Sequence, residues 1–195
     1  MLSKKERFFE TLKRTPILCC PACGETLTPT GDSLRCVRHH TWNVHRKGCI
    51  NLLSRQTEGC YDADLFSARA QVFASGCYTL VVEAINSMLP AGNITLLDAG
   101  CGEGWWLHTL LSQDPSRTGI GVDISRDAIF QATNWETPAL WVVGDVRRLP
   151  VQDASVDVLL DVLTPAAYGE FSRALKPDGL LIKVYPGTHY LQEIR

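Results

Sequence analysis

The chain has 195 residues, 45% of them apolar, with a net charge of −2 and a mean hydropathy of −0.02. That is enough for one or two domains with a real core. No run of ~18 apolar residues is available for a membrane span, and Met1 to Arg7 opens onto no apolar leader core, so a cytoplasmic location is expected. Eight cysteines in such a chain point to metal or chemistry before disulfides.

The small net charge hides an asymmetry. Residues 1–55 carry ten Lys/Arg and four Asp/Glu, whereas the remainder carries nine and seventeen. A basic end on an acidic body is a pattern of polyanion binding, although uneven solvated faces are also common.

Residues 1–15 place Phe8, Phe9 and Leu12 together, ringed by Lys4, Lys5, Arg7, Lys13 and Arg14. This predicts a short basic amphipathic helix ending before Pro16. Cys20-Pro21-Ala22-Cys23-Gly24 then has the form of a zinc knuckle. Cys36 follows, and His40 stands in Cys-x3-His spacing to it, which completes a four-ligand tetrahedral set. Thr30-Gly31-Asp32-Ser33 between them is a hairpin turn. The object expected is a small zinc ribbon, too short to fold on a core of its own. Cys19 beside Cys20 and His39 beside His40 leave the register open, with the two-residue spacing favouring Cys20. His45 reads as a surface or RNA-facing residue.

Gly48 to Leu53 predicts a strand leaving the ribbon, and 54–62 a polar connector. Apolar spacing over 64–89, broken at Gly76, predicts two helices, with Cys77 and Tyr78 in the break. Strands and helices then alternate. The strands are Ile94–Leu97, Gly119–Val122, Leu140–Val143, Val156–Leu160 and Leu180–Val184; the helices are Trp105–Ser112, Ser125–Trp135 and Tyr168–Leu175. Such alternation implies an α/β fold with a parallel, doubly wound sheet, whose ligands bind beyond the carboxyl ends of the strands. The division expected is a ribbon region (1–53), a connector with helices (54–90) and a ligand-binding domain (91–195).

The chemistry concentrates in Asp98-Ala99-Gly100-Cys101-Gly102-Glu103-Gly104. Glycine at every second position lets backbone approach a ligand closely. The spacing is neither that of dinucleotide enzymes nor that of a triphosphate loop, and no phosphate-binding lysine follows. It resembles the first motif of S-adenosylmethionine (SAM) methyltransferases. Three acidic residues converge on the same sheet edge. Asp123 is placed for two ribose hydroxyls and Asp145 for an adenine amino group. Asp98, with the Gly100–Gly102 backbone, is placed for the amino-acid end. Asp161 ends the fourth strand; it is the candidate general base by position, and a solvated strand-end carboxylate is the plainer reading. Arg46, Lys47, Arg147 and Arg148 are candidate phosphate contacts.

The Cys/His ribbon, Lys47-Gly48-x-x-Asn51-Leu52-Leu53 and the Asp98–Gly104 loop together resemble the RlmA family of bacterial 23S ribosomal RNA (guanine-N1)-methyltransferases. Further matches are Ala68-Arg69, Gly121-Val122-Asp123-Ile124-Ser125, Arg148-Leu149-Pro150 and Pro186-Gly187. The resemblance covers roughly residues 17–195. It implies a Rossmann-like class I SAM methyltransferase domain preceded by a zinc ribbon. It also implies zinc on Cys20, Cys23, Cys36 and His40, and SAM contacts at Tyr78, Gly102 and Glu103. The partner implied is a 23S rRNA hairpin beneath a cleft between the two parts, with a link to macrolide resistance in some members; a homodimer is left open. There are departures. Tyr190 stands where the family often has a SAM-contacting histidine, Leu163 where it has an aromatic residue, and the family has no carboxylate matching Asp161. Family members continue past the position of Arg195 with strands that complete the sheet, so a fragment or a shortened relative is expected. A small-molecule SAM methyltransferase, or a SAM- or RNA-binding module without turnover, are the competing readings.

Overall fold

The computed structural model describes residues 2–53, 69, 72, 73 and 75–187. Helix α1 (Lys4–Arg14) starts at a reciprocal capping box, in which Ser3 Oγ accepts from the Glu6 N–H and Glu6 accepts from the Ser3 N–H. Its apolar stripe buries Phe8 and Leu12. The ribbon follows as β1 (Thr28–Thr30), β2 (Ser33–Arg35), β3 (Thr41–His45) and β4 (Cys49–Asn51), successive neighbours pairing antiparallel. The ligand-binding half contains α2 (Thr79–Met88), β5 (Thr95–Ala99), α3 (Trp105–Ser112), β6 (Thr118–Asp123), α4 (Arg126–Ala132), β7 (Ala139–Val143), β8 (Val156–Val162), α5 (Tyr168–Ala174) and β9 (Leu175–Val184). No described helix is long and apolar enough to cross a membrane.

All nine strands form one sheet, in the order β1-β2-β3-β4-β7-β6-β5-β8-β9. From β4 to β9 the neighbours are parallel. The last ribbon strand is therefore also an interior strand of the Rossmann-like sheet: Cys49, Ile50 and Asn51 pair with Trp141, Val142 and Val143.

Both faces of the parallel part are covered, which is why its strands read as continuous apolar runs. One face buries Leu97, Ile120, Val122, Leu140 and Val142 with Phe8, Leu12 and Phe171. The other buries Leu96, Trp141, Val158 and Leu160 with Trp106, Leu107, Leu110 and Ile129. The crossover from β7 to β8 carries only a 3₁₀ turn (Val146–Arg148), and α1 packs against β7 on the face it leaves open.

Each of the five strands expected in the ligand-binding half reaches at least one residue beyond an expected end, and three of the differences in element bounds have a clear tertiary reason. Asp98 lies inside β5, because that strand keeps pairing with β6 through Ala99↔Val122. Helix α4 stops at Ala132, where the Thr133 side chain turns back onto the Phe130 carbonyl. Strand β9 begins at Leu175, five residues before its expected start, and takes in Lys176-Pro177-Asp178-Gly179 through a register shift opposite Val156–Val158.

Candidate active site and metal centre

The glycine loop leaves β5 at its carboxyl end and turns into α3. Gly100 has φ +78°, and a Cβ there would lie 2.6 Å from Thr164 Oγ1, so only glycine lets the loop pass under the β8–α5 segment. The Gly100 and Cys101 N–H groups donate to the Val122 carbonyl. The Gly102 N–H donates to Asp123 Oδ2 at 2.8 Å, while Asp123 Oδ1 accepts from the Ser125 N–H at 2.8 Å. One carboxylate thus ties the glycine loop to the start of α4, and each of its oxygens keeps a further lone pair.

A cleft of about 470 Å³ opens beside it, lined among others by Arg69, Gly100, Gly102, Asp123, Asp145 and Thr164. That volume lies in the range of small-molecule sites, roughly 300–1,000 Å³. At the two ends of the glycine loop are two buried acceptors with no hydrogen-bond partner, Asp98 Oδ2 and Glu103 Oε2, whose residues are not part of the cleft lining. Arg69 Nε is 3.5 Å from the latter, an ion pair outside hydrogen-bonding geometry. Burial pushes the Asp98 carboxyl up to about 8, with the Asp123 and Glu103 carboxylates adding to the rise. Burial also raises Glu103, against the pull of Arg69. It raises Asp123 against the N–H groups of Ser125 and Gly102. A cleft walled by the Asp123 and Asp145 carboxylates, with further carboxyl groups buried in the adjoining loop, suits a ligand bearing N–H and O–H donors and suits a phosphate poorly.

Asp145 is engaged by its own neighbour. Both of its oxygens accept from the Arg147 guanidinium, and Oδ1 also accepts from the Arg147 N–H. These bonds hold its pKa below the usual carboxylate value. Arg147 is exposed, so an incoming donor displaces a pair worth only ~0–1 kcal/mol.

Gly100, Gly102, Asp123 and Asp145 therefore line the cleft, whereas Asp98 and Glu103 are buried and do not line it. Tyr78 packs in an aromatic cluster, its ring centroid 5.3 Å from Phe73 and 5.2 Å from Trp106. Tyr190 lies outside the described residues. Asp161 corrects the expectation of a solvated strand end. It is 0% exposed, and Lys183 Nζ donates to its Oδ2 at 2.5 Å and to the Thr164 carbonyl at 3.1 Å. Its Oδ1 has no partner. The Lys183 pairing escapes sequence reasoning, because nothing local registers residue 183 against residue 161. Leu163 and Thr164 are likewise known as cleft residues only from the structure, Leu163 with φ +56°. The phosphate candidates separate: Arg147 is at the cleft, Arg148 lines a groove between ribbon and sheet, and Arg46 and Lys47 lie in the β3–β4 turn.

The four ribbon ligands come together as their spacing suggests. Donor atoms of Cys20, Cys23, Cys36 and His40 lie within 4.8 Å of one another. Sulfur ligands ~2.3 Å and nitrogen ligands ~2.0 Å from a tetrahedral centre stand about 3.5–3.8 Å apart. Cys23 and Cys36 Sγ are 3.7 Å apart, and His40 Nδ1 is 3.5 Å from both Cys20 and Cys36 Sγ. The donor set therefore fits one metal ion. The Trp42 indole N–H points at Cys20 Sγ at 3.4 Å. Burial pushes the Cys20 thiol up, but that N–H and those of the Ala22 and Cys23 backbone outweigh it and bring it down to about 7. Cys19 is outside the cluster, its thiol raised to about 11 chiefly by burial.

Residues 96–179 match the family described as "Methyltransferase domain". The chain is 37% identical to a putative 23S rRNA (guanine-N(1)-)-methyltransferase of Bacillus subtilis (strain 168), over 90% of this chain and 66% of that one. It is 32% identical to a putative 23S rRNA (guanine-N(1)-)-methyltransferase of Micromonospora griseorubida, over 92% of this chain and 68% of that one. The chain thus spans about two thirds of the length of these curated relatives. A putative S-adenosyl-L-methionine-dependent methyltransferase from Methanococcus maripaludis shares the fold, with a TM-score of 0.55 and 19% identity over 72% of this chain and 73% of that one. With glycine loop, acidic strand ends and Cys/His ribbon carried together on one sheet, the chain belongs to the family of bacterial 23S rRNA (guanine-N1)-methyltransferases.

Proposed function

We propose that this chain binds SAM in the 470 Å³ cleft and directs its methyl group to N1 of a guanine in a 23S rRNA hairpin, with one zinc ion holding the ribbon. When bound, the cofactor supplies an electrophilic methyl group on a sulfonium. One observation above all supports the reading. The similarity to the rRNA enzymes runs through ribbon and cleft alike, and β4 hydrogen-bonds the ribbon into the sheet that carries the cleft.

In this reading the unpartnered oxygens of Asp98 and Glu103 accept from the cofactor's amino-acid end, and the free lone pairs of Asp123 accept the ribose hydroxyls. Asp145 takes an adenine amino group once Arg147 swings aside. Tyr78 and Tyr190 remain cofactor contacts on the strength of the resemblance. Asp161 acts as a positioning group and not as the base. A base must come within ~2.6–3.2 Å of the proton it removes, whereas Asp161 is buried and held by Lys183. Through Lys183 it fixes the Thr164 carbonyl, and with it the wall of the cleft facing the acceptor. Guanine N1 carries a proton and lies on the pairing edge, so the base has to arrive unpaired, and holding it in line supplies much of the rate.

The test is transfer of labelled methyl to a 23S hairpin transcript, read as 1-methylguanine by mass spectrometry and as a primer-extension stop. Incorporation at guanine supports the proposal. Transfer only into a metabolite pool would establish the small-molecule reading instead. SAM binding without turnover on any acceptor would establish a binding module.

A further inference from the structure

The β3–β4 turn and helix α4 build a cationic surface that the cleft does not use. The ring of Phe130 on α4 is its centre. His45 stacks on that ring with centroids 4.8 Å apart, Lys47 Nζ is 4.3 Å from its centroid, and the Arg126 guanidinium carbon is 5.7 Å away. Arg46 is exposed beside them. Neighbouring basic groups are already engaged: Lys5 with Asp32, Arg7 with Glu136, and Lys4 with Asn134. Among the described residues, Arg46, Lys47 and Arg126 form no ion pair. Like charges gathered around one ring repel, and the ring offsets that for Lys47 and Arg126 through cation–π contact. A polyanion laid across them relieves the repulsion altogether.

The sheet register places this surface. His45 pairs with Cys49, and Cys49 with Trp141, whereas Asn51 pairs with Val143 next to the cleft residue Asp145. The turn is thus at the amino end of the parallel strands and the cleft at the carboxyl end, roughly 15–20 Å apart at ~3.3 Å per residue. Arg126 starts α4 three residues past the cleft residue Asp123 and reaches Phe130 along that helix, so the surface runs from the turn toward the cleft side of the sheet.

We propose that Arg46, Lys47 and Arg126, gathered on Phe130, form a second contact for the sugar–phosphate backbone of RNA, gripping the stem while the cleft takes the target loop. This rests on the rRNA reading given above. Close-set charges match a strand carrying one phosphate per ~3.4 Å of helix axis. They give no base recognition, since His45 and Lys47 already occupy the ring.

The test is the salt dependence of binding to two RNAs, a 23S hairpin with its full stem and a loop-only oligonucleotide. The variant Arg46→Gln/Lys47→Gln/Arg126→Gln is compared with wild type, using SAM affinity and zinc content as controls of folding. At ~0.7–0.9 per phosphate contact, the slope of log K against log[salt] falls by about 2–3 for the stem RNA and stays unchanged for the loop. If the triple variant folds poorly, Arg46→Gln alone lowers the stem slope by about 0.7–0.9. Equal slopes for variant and wild type on the stem RNA overturn the proposal while leaving the rRNA reading intact. Wild type that binds neither RNA brings down both. Polyglutamate competing as strongly as stem RNA overturns the assignment to RNA and marks the surface as a site for acidic protein.

Discussion

Replacing Asp98 by Asn tests the electrostatics of the glycine loop in the absence of any ligand. Asp98 is 1% exposed, and burial with two neighbouring carboxylates sets its pKa at about 8, against 3.8 for an ordinary aspartate. Between those values the folded protein holds a proton that the unfolded chain has released. Stability therefore falls as pH rises through the window, and the loss is complete only above about 8. Each pH unit inside it costs up to ~1.4 kcal/mol. Asp98→Asn has no proton to lose. Relative to wild type, the variant should gain about 3–4 kcal/mol between pH 5 and pH 8, most of ~1.4 kcal/mol per unit over that span. Urea unfolding of both proteins at each pH isolates Asp98 with its two coupled carboxylates, Asp123 and Glu103, because the ribbon and the uncoupled groups cancel in the difference. A stability difference that is flat from pH 5 to 8 would refute the reasoning and leave Asp98 an ordinary solvated carboxylate.

The Lys183–Asp161 pair should behave as one unit. Lys183→Met leaves a buried charge unpaired and costs about 3 kcal/mol, a fall in Tm of roughly 6–12 °C, whereas Asp161→Asn/Lys183→Met recovers most of it; additive single effects in calorimetry would deny the coupling. If the pair also sets the cleft wall, Asp161→Asn changes kcat more than the affinity for SAM. Gly100→Ala, forced to φ +78° and against Thr164, should lose about 2–3 kcal/mol; adding Thr164→Ala should return the steric part and leave ~1–2 kcal/mol for the backbone. Cys23→Ser should lower bound zinc well below one equivalent by elemental analysis, and should weaken SAM binding as well, because β4 edges β7 just before Asp145. Full SAM affinity in zinc-free protein would show ribbon and cleft to be independent.

Sequence alone revealed what depends on neighbours in the chain. The glycine loop, the acidic residues after apolar runs and the Cys-x2-Cys…Cys-x3-His spacing are local patterns; the structure brings Gly100, Gly102, Asp123 and Asp145 to one cleft and gathers the four Cys/His donors, while Asp98 stays buried outside the lining. Hidden were the facts fixed by pairing between distant segments. Cys49-Ile50-Asn51 carries no mark of its parallel partner some ninety residues later. Asp161 looks like any strand-end carboxylate until β9 brings Lys183 opposite it. A polar residue after an apolar run is exposed only if the next strand ends there too, and β9 does not.

The same pairing explains why a ribbon this small is stable on this scaffold. Its four strands bury little by themselves, and three of them have three residues each. The Cys20, Cys23, Cys36 and His40 donors would supply one closure when they hold a metal ion. The sheet supplies the other: Ile50 and Leu52 enter the core beside Val142 and Ile120, and α1 covers the face that the helix-free β7–β8 crossover leaves open. The first fifty residues thus complete the fold that carries the cleft, as well as adding basic charge. Relative motion of ribbon and cleft is limited by the β4–β7 hydrogen bonds. If the proposed RNA touches both Arg46 and the cleft, it meets one continuous sheet, and the geometry of that sheet would place the target base.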